Sequence, residues 1–170
     1  MENKNKGEKG GKTKNPASRV IRHRGDFSWR GVRPARYKLA GKGEHWASAS
    51  RHLLVAGGKG ERTKFHLRYF ELAPGGFTSF ETHAHEHVVI VANGTGEVRL
   101  GKKRYEVGPM DAIYIAPGQP HQLLNPGDAP FGFFCIVDAE RDRPVVLTEG
   151  KPSMGKKSRG GRPSASCELR

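Results

Sequence analysis

The chain has 170 residues, with 30 Lys+Arg against 17 Asp+Glu, a formal net charge of +13, 35% hydrophobic residues, 23 Gly, 11 Pro and two Cys. That length fits one domain plus tails. It holds no apolar run long enough to span a bilayer and its first 24 residues are charged throughout, so a cytoplasmic protein with no membrane span and no secretory leader is expected. Cys135 and Cys167 are far apart in contrasting surroundings, which supports neither a disulfide scaffold nor a cysteine zinc site.

The charge is concentrated at the ends. Residues 1–24 carry eight Lys+Arg and two Glu, and residues 151–170 carry six Lys+Arg and one Glu, so the intervening 126 residues are nearly neutral. Segments so polar bury too little to offset ordering entropy, and disordered basic tails are expected over 1–24 and 149–170. They could hold nucleic acid or another polyanion through phosphate contacts, but they lack the aromatic residues of a stacking platform, and solvated tails are the favoured reading.

Residues 25–50 carry the aromatic anchors Phe27, Trp29, Tyr37 and Trp46 between glycines, and read as an extended arm packed on the domain. From 51 to 148 the pattern becomes short apolar runs separated by turn residues. Strands are expected at Leu53–Ala56, Thr63–Leu72, His83–Ala92, Gly96–Leu100, Arg104–Val107, Ala112–Ile115, His121–Leu124 and Phe131–Val137, with turns at Pro74-Gly75-Gly76, Asn93-Gly94, Gly108-Pro109, Pro117-Gly118 and Asn125-Pro126-Gly127-Asp128. Helix signals are nearly absent. Eight short strands at near-regular spacing point to an all-β barrel or jelly roll.

Chemistry concentrates in Thr82-His83-Ala84-His85-Glu86-His87. Alternate residues of a strand share a face, so His83, His85 and His87 would project together. His121 follows Pro117-Gly118-Gln119-Pro120 on a separate strand. Imidazoles converging inside a barrel suit a divalent first-row metal such as Fe, Mn, Ni or Zn. On a straight strand, His83 and His85 are ~7 Å apart at Cα and can share an ion, whereas His83 and His87 are ~13 Å apart and cannot. Three alternate histidines could also be a surface feature with no ligand. His23, His45, His52 and His66 have no partner at ligand spacing and read as surface or packing residues. Cys135, in an apolar run, reads as a small buried hydrophobe, and Asn125 as a turn residue.

These motifs resemble those of the cupin superfamily, in its small single-domain type. The first cupin motif runs Gly, five residues, His-x-His, three or four residues, Glu, six residues, Gly; here it falls on Gly75, Glu81-Thr82-His83, His87 and Gly94, with the first His and the Glu interchanged. The second, Gly, five residues, Pro-x-Gly, two residues, His, three residues, Asn, falls on Met110, Ala116-Pro117-Gly118, His121 and Asn125, with Met110 in place of the Gly and Ala116 in place of the Pro. The similarity spans roughly residues 65–138 and implies a double-stranded β-helix.

In that fold the chain bends between the His-x-His and the fourth ligand, which implies Glu81, His83, His87 and His121 as the metal set. The straight strand would give His83, His85 and His121. The fourth ligand therefore stays open between Glu81 and His85, and whichever is unligated is placed to carry a proton. The resemblance implies a metal-dependent protein acting on a small oxygen-rich molecule, by dioxygenase-like or isomerase- or lyase-like chemistry. The alternative is a non-catalytic cupin that binds a metabolite or metal as a sensor or partner module. A homodimer is implied by resemblance, with Val88 and Ile90 on the face away from the histidines.

Overall fold

The computed structural model describes residues 18–36, 47–58 and 60–147. Every regular element among them is a strand: β1 (Pro34–Arg36), β2 (Ala47–Val55), β3 (Phe65–Phe77), β4 (Glu81–Thr82), β5 (His87–Asn93), β6 (Gly96–Leu100), β7 (Lys103–Val107), β8 (Ala112–Ile115), β9 (His121–Leu124), β10 (Phe131–Asp138) and β11 (Val145–Val146). No helix long and apolar enough to cross a membrane occurs among these residues.

All pairings are antiparallel, and they build one curled sheet. Its path runs β11-β4-β9-β3-β10-β5-β8, with β2 on the other edge of β3 and the hairpin β6-β7 joined through β6 to β9. The expected double-stranded β-helix is the fold observed. The barrel interior follows from the pleat: Phe131, Phe133, Cys135 and Val137 of β10 and Val89 and Val91 of β5 are at most 3% exposed. Each such buried side chain contributes about 1.5–3 kcal/mol.

Three expectations need correction. The strand expected over Thr63–Leu72 continues to Phe77, because the Pro74-Gly75-Gly76 stretch is a corner inside β3 and not a turn between strands. Gly75, at φ +73°, lets the chain change one partner: β2 stays alongside, with Ala49 opposite Leu72 and Ala47 opposite Phe77, while on the other side Phe131 of β10 opposite Leu72 gives way to Leu124 of β9 opposite Phe77. Secondly, β2 begins at Ala47, so the last four residues given to the arm belong to the barrel. Thirdly, the strand expected from His83 begins only at His87.

The N-terminal arm covers the outer face of β3 and β10. Phe27 stacks on Tyr69 with ring centroids 5.2 Å apart, and Trp29 meets Tyr69, Phe134 and His52 at 5.0, 6.1 and 5.6 Å. Residues 18–24, placed by charge in a solvated tail, also lie on the domain. Arg19 donates to Leu54 O at 3.1 Å and pairs with Glu61, and Ile21 packs into the aromatic cluster. Counting charge missed that one half-buried Ile and one ion pair can hold a polar segment. Tyr37, His45, Trp46, Cys167 and the tails beyond these bounds lie outside the described residues.

Asn125 is a turn residue with a structural duty. Fully buried, it donates to Leu72 O (2.9 Å) and Ala129 O (2.8 Å) and accepts from Gly127 N–H (3.0 Å), closing the Asn-Pro-Gly turn against the β3 corner.

A candidate metal centre

The chain is bent at Ala84-His85, and backbone chemistry explains why. Asp142 accepts the N–H groups of Ala84 (2.9 Å) and His85 (3.2 Å), and His83 O accepts Gly118 N–H at 2.7 Å. Those amides therefore bond outside the sheet, and the strand stops at Thr82 and resumes at His87. The bend folds a separation too long for one ion into a close approach, with the His83 and His87 ring centroids 4.5 Å apart.

The structure brings His83, His87 and His121 together. One ligand atom from each lies within 4.8 Å of the others, and all three residues are buried. His83 Nδ1 donates to His85 O (2.7 Å) and His121 Nδ1 to Gln119 O (2.9 Å). Carbonyl partners on Nδ1 fix the tautomer and leave Nε2 with a lone pair, the arrangement ligating histidines need. His83 Nε2 is buried without a hydrogen-bond partner, a desolvated acceptor that a cation would satisfy. The donor set therefore fits a divalent transition ion.

Burial, with His121 and His85 nearby, lowers the His83 pKa. Deeper burial, reinforced by the Arg68 charge, brings His87 down to about 2. Both imidazoles are thus held neutral, the form that ligates.

The two other expected site residues sit differently. Glu81, buried on β4, pairs across strands with His121 and lines the same cavity, outside the three-nitrogen group. His85 is turned toward Asp142: its Nδ1 lies 2.6 Å from Asp142 Oδ1 and its Nε2 3.0 Å from His87 Nε2. The His85 imidazole and the Ala84 amide hold the Asp142 carboxyl down at about 2.

His85, His87 and His121 open on a cavity of about 180 Å³, lined on its other sides by Phe70, Phe133, Leu123 and Val89 and by three arginines, Arg51, Arg68 and Arg141. Cys135 is buried as expected and also faces this cavity; it accepts from Arg68 Nη2 at 3.1 Å and lies 3.7 Å from His87 Nδ1. Burial raises its pKa.

Sequence reasoning missed Asp142 and the arginines. Asp142 sits between two arginines in a stretch with no periodicity, and Arg51 and Arg68 look like the polar half of alternating strands. Only Arg68, flanked by Leu67 and Tyr69 in an apolar run, carried a weak signal of inward placement. His52, read as a packing residue, is one: its ring meets Trp29 and Tyr69 edge-on.

Comparison with known proteins agrees with this architecture. The cupin domain family model matches residues 68–137. Over 130 residues the chain is 37% identical to 1-methylthio-D-xylulose 5-phosphate methylsulfurylase of Rhodospirillum rubrum, covering 75% of this chain and 80% of that one. A cupin-2 domain protein from the same organism superposes with a TM-score of 0.66 at 34% identity, over 79% of this chain and 85% of the other. A cupin 2 domain-containing protein from Halorhodospira halophila gives 0.57 at 42% identity, over 77% and 83%. With the bent His83–His87 segment, the single histidine from β9 and the curled antiparallel sheet all in place, the chain belongs to the cupin superfamily.

Proposed function

We propose that this protein is a metal-dependent cupin enzyme that acts on a small oxygen-rich molecule by redox-neutral, isomerase- or lyase-like chemistry. The observation that carries this reading is the convergence of three buried imidazoles, their ligand atoms within 4.8 Å of one another, beside a cavity that His87 and His121 line, with His83 and His121 oriented by backbone carbonyls. His83, His87 and His121 would hold the ion. Once bound, it would supply Lewis-acid polarisation of a substrate carbonyl or hydroxyl oxygen. The similarity to a protein named for a keto-sugar phosphate substrate favours the redox-neutral branch over the dioxygenase-like one.

The chain's own residues supply the rest. Glu81 faces the cavity beside His121 and is placed to take a proton from a carbon next to a carbonyl. His85, linked to Asp142 at the surface and to His87 inside, offers a second route for a proton. Phe70, Phe133 and Leu123 limit water at the reacting centre.

The test is solvent exchange. Protein loaded with Mn, Fe, Ni or Zn, incubated in D₂O with D-xylulose 5-phosphate or its 1-methylthio derivative, should incorporate deuterium beside the carbonyl or turn the compound over, and His121→Ala should not. Neither exchange nor turnover with any of the four ions would instead favour a non-catalytic metabolite-binding cupin. A homodimer is part of the same proposal: Val88 and Tyr114, cross-strand partners on the outer face, are 37% and 59% exposed. Light scattering on the purified protein reads this directly.

A further inference from the structure

The described walls of the cavity carry three guanidinium groups and one carboxylate, that of Glu81. Arg68 rises from β3 and is only 8% exposed. Arg51 projects from β2 onto the same inner face, its neighbour across the strands being Phe70. Arg141 follows β10 and is anchored through Nη1 to His66 Nδ1 (2.9 Å) and Asp138 O (2.9 Å).

Against the single carboxylate of Glu81, the three guanidinium groups leave the described wall with an excess of positive charge in a partly dry space. Arg51 Nε and Arg68 Nε are buried with no hydrogen-bond partner. A buried guanidinium N–H left unpaired is costly, and the cost is recovered only when an acceptor arrives. Arg141 registers the crowding, since burial and then the Arg68 and Arg51 charges lower its pKa.

We infer that Arg51, Arg68 and Arg141 form a phosphate-binding subsite for the substrate, in the cavity that His87 and His121 also line. This deepens the function proposed above, rests on it, and names the substrate class as a small phosphate monoester. A phosphate dianion presents three terminal oxygens, enough to engage several guanidinium forks at once, whereas a carboxylate presents two. His87, His121 and the three arginines line the same cavity, so a short sugar phosphate would place its ester at the arginines and its carbonyl at those histidines.

Calorimetric binding to the Zn-loaded and the metal-free protein tests this with three probes: D-xylulose 5-phosphate, D-xylulose and D-xylonate. The phosphate ester should bind at least tenfold more tightly than the free sugar. Arg51→Gln should remove about tenfold of that affinity while leaving zinc content and free-sugar binding unchanged, and Arg68→Lys should retain more affinity than Arg68→Met. Equal binding of sugar and sugar phosphate, no loss in Arg51→Gln, or tighter binding of D-xylonate would overturn the subsite. Because zinc content is measured on the same samples, failure here with zinc retained leaves the metal reading standing. Phosphate selectivity in protein that takes up no zinc would support the subsite alone.

Discussion

His85 Nδ1 lies 2.6 Å from Asp142 Oδ1, and the same carboxylate receives the backbone N–H groups of Ala84 and His85. One side chain from the segment after β10 therefore shapes the bend that lets His83 and His87 share a ligand. Asp142→Ala should weaken metal affinity by about tenfold, in the range usual for residues that orient ligands. Competition with a chelator on the folded variant measures it, and unchanged affinity would assign Asp142 to the loop alone.

The neutral histidines make the metal-free fold acid-sensitive. His83 and His87 titrate in the fold below their ordinary value of 6.5, His87 at about 2. In the unfolded chain both take a proton near 6.5, so the unfolded state binds more protons below that pH. Stability from their burial is complete above about pH 6.5 and is lost as pH falls toward the folded values. Each protonating group contributes a slope of about 1.4 kcal/mol per pH unit. Denaturant melts of metal-free protein between pH 8 and 4 should show it, and a flat profile would contradict the neutral, buried state.

Met110 occupies the turn position where the cupin pattern has glycine, and its backbone keeps the glycine conformation, φ +75°. Pro109 precedes it, and Asp111 N–H donates to Gly108 O at 3.0 Å, so Gly108-Pro109-Met110-Asp111 is a type II turn whose third position favours glycine. The Met110 side chain is 82% exposed and loses little on removal. Met110→Gly should raise stability by up to about 1 kcal/mol, the left-handed penalty less glycine's extra chain entropy. An unchanged or lower denaturation midpoint would refute this.

Gly132 fails the opposite way. A Cβ there would meet Tyr69 Oη at 2.0 Å, and Tyr69 is fixed by Phe27 and Trp29. Gly132→Ala should cost about 1–3 kcal/mol through overpacking. Gly118→Ala, with nothing within 4 Å of the new atom but φ +74°, should lose stability through backbone strain alone. Thermal melts with Gly132→Ala and Tyr69→Phe/Gly132→Ala separate the two causes, since removing the hydroxyl should return part of the first loss and could not relieve backbone strain.

What was legible in the sequence was local. The alternation of Val89 and Val91 against Val88 and Ile90, and the turn residues between β5 and β10, follow from pleat geometry that any strand obeys. His83 and His121 stood out because motif spacing fixes them whichever way the strand runs. The bend did not, because Asp142 makes it from 57 residues away. The role of Arg51, Arg68 and Arg141 was hidden for the same reason, since only barrel closure turns three scattered cations into one wall of a cavity. The β3 corner was misread because Pro-Gly-Gly also makes good turns, and a strand that changes partners has no signature of its own.

The central claim is that His83, His87 and His121 form one metal centre. Elemental analysis of protein purified without an affinity tag or chelator, per chain, tests it most directly, with His83→Ala, His121→Ala and His23→Ala measured in parallel. The account predicts near one divalent transition ion per chain in the wild type and in His23→Ala, and its loss in the other two variants. No ion in the wild type, even after supplying Mn, Fe, Ni and Zn, or equal occupancy in all three variants, would contradict it.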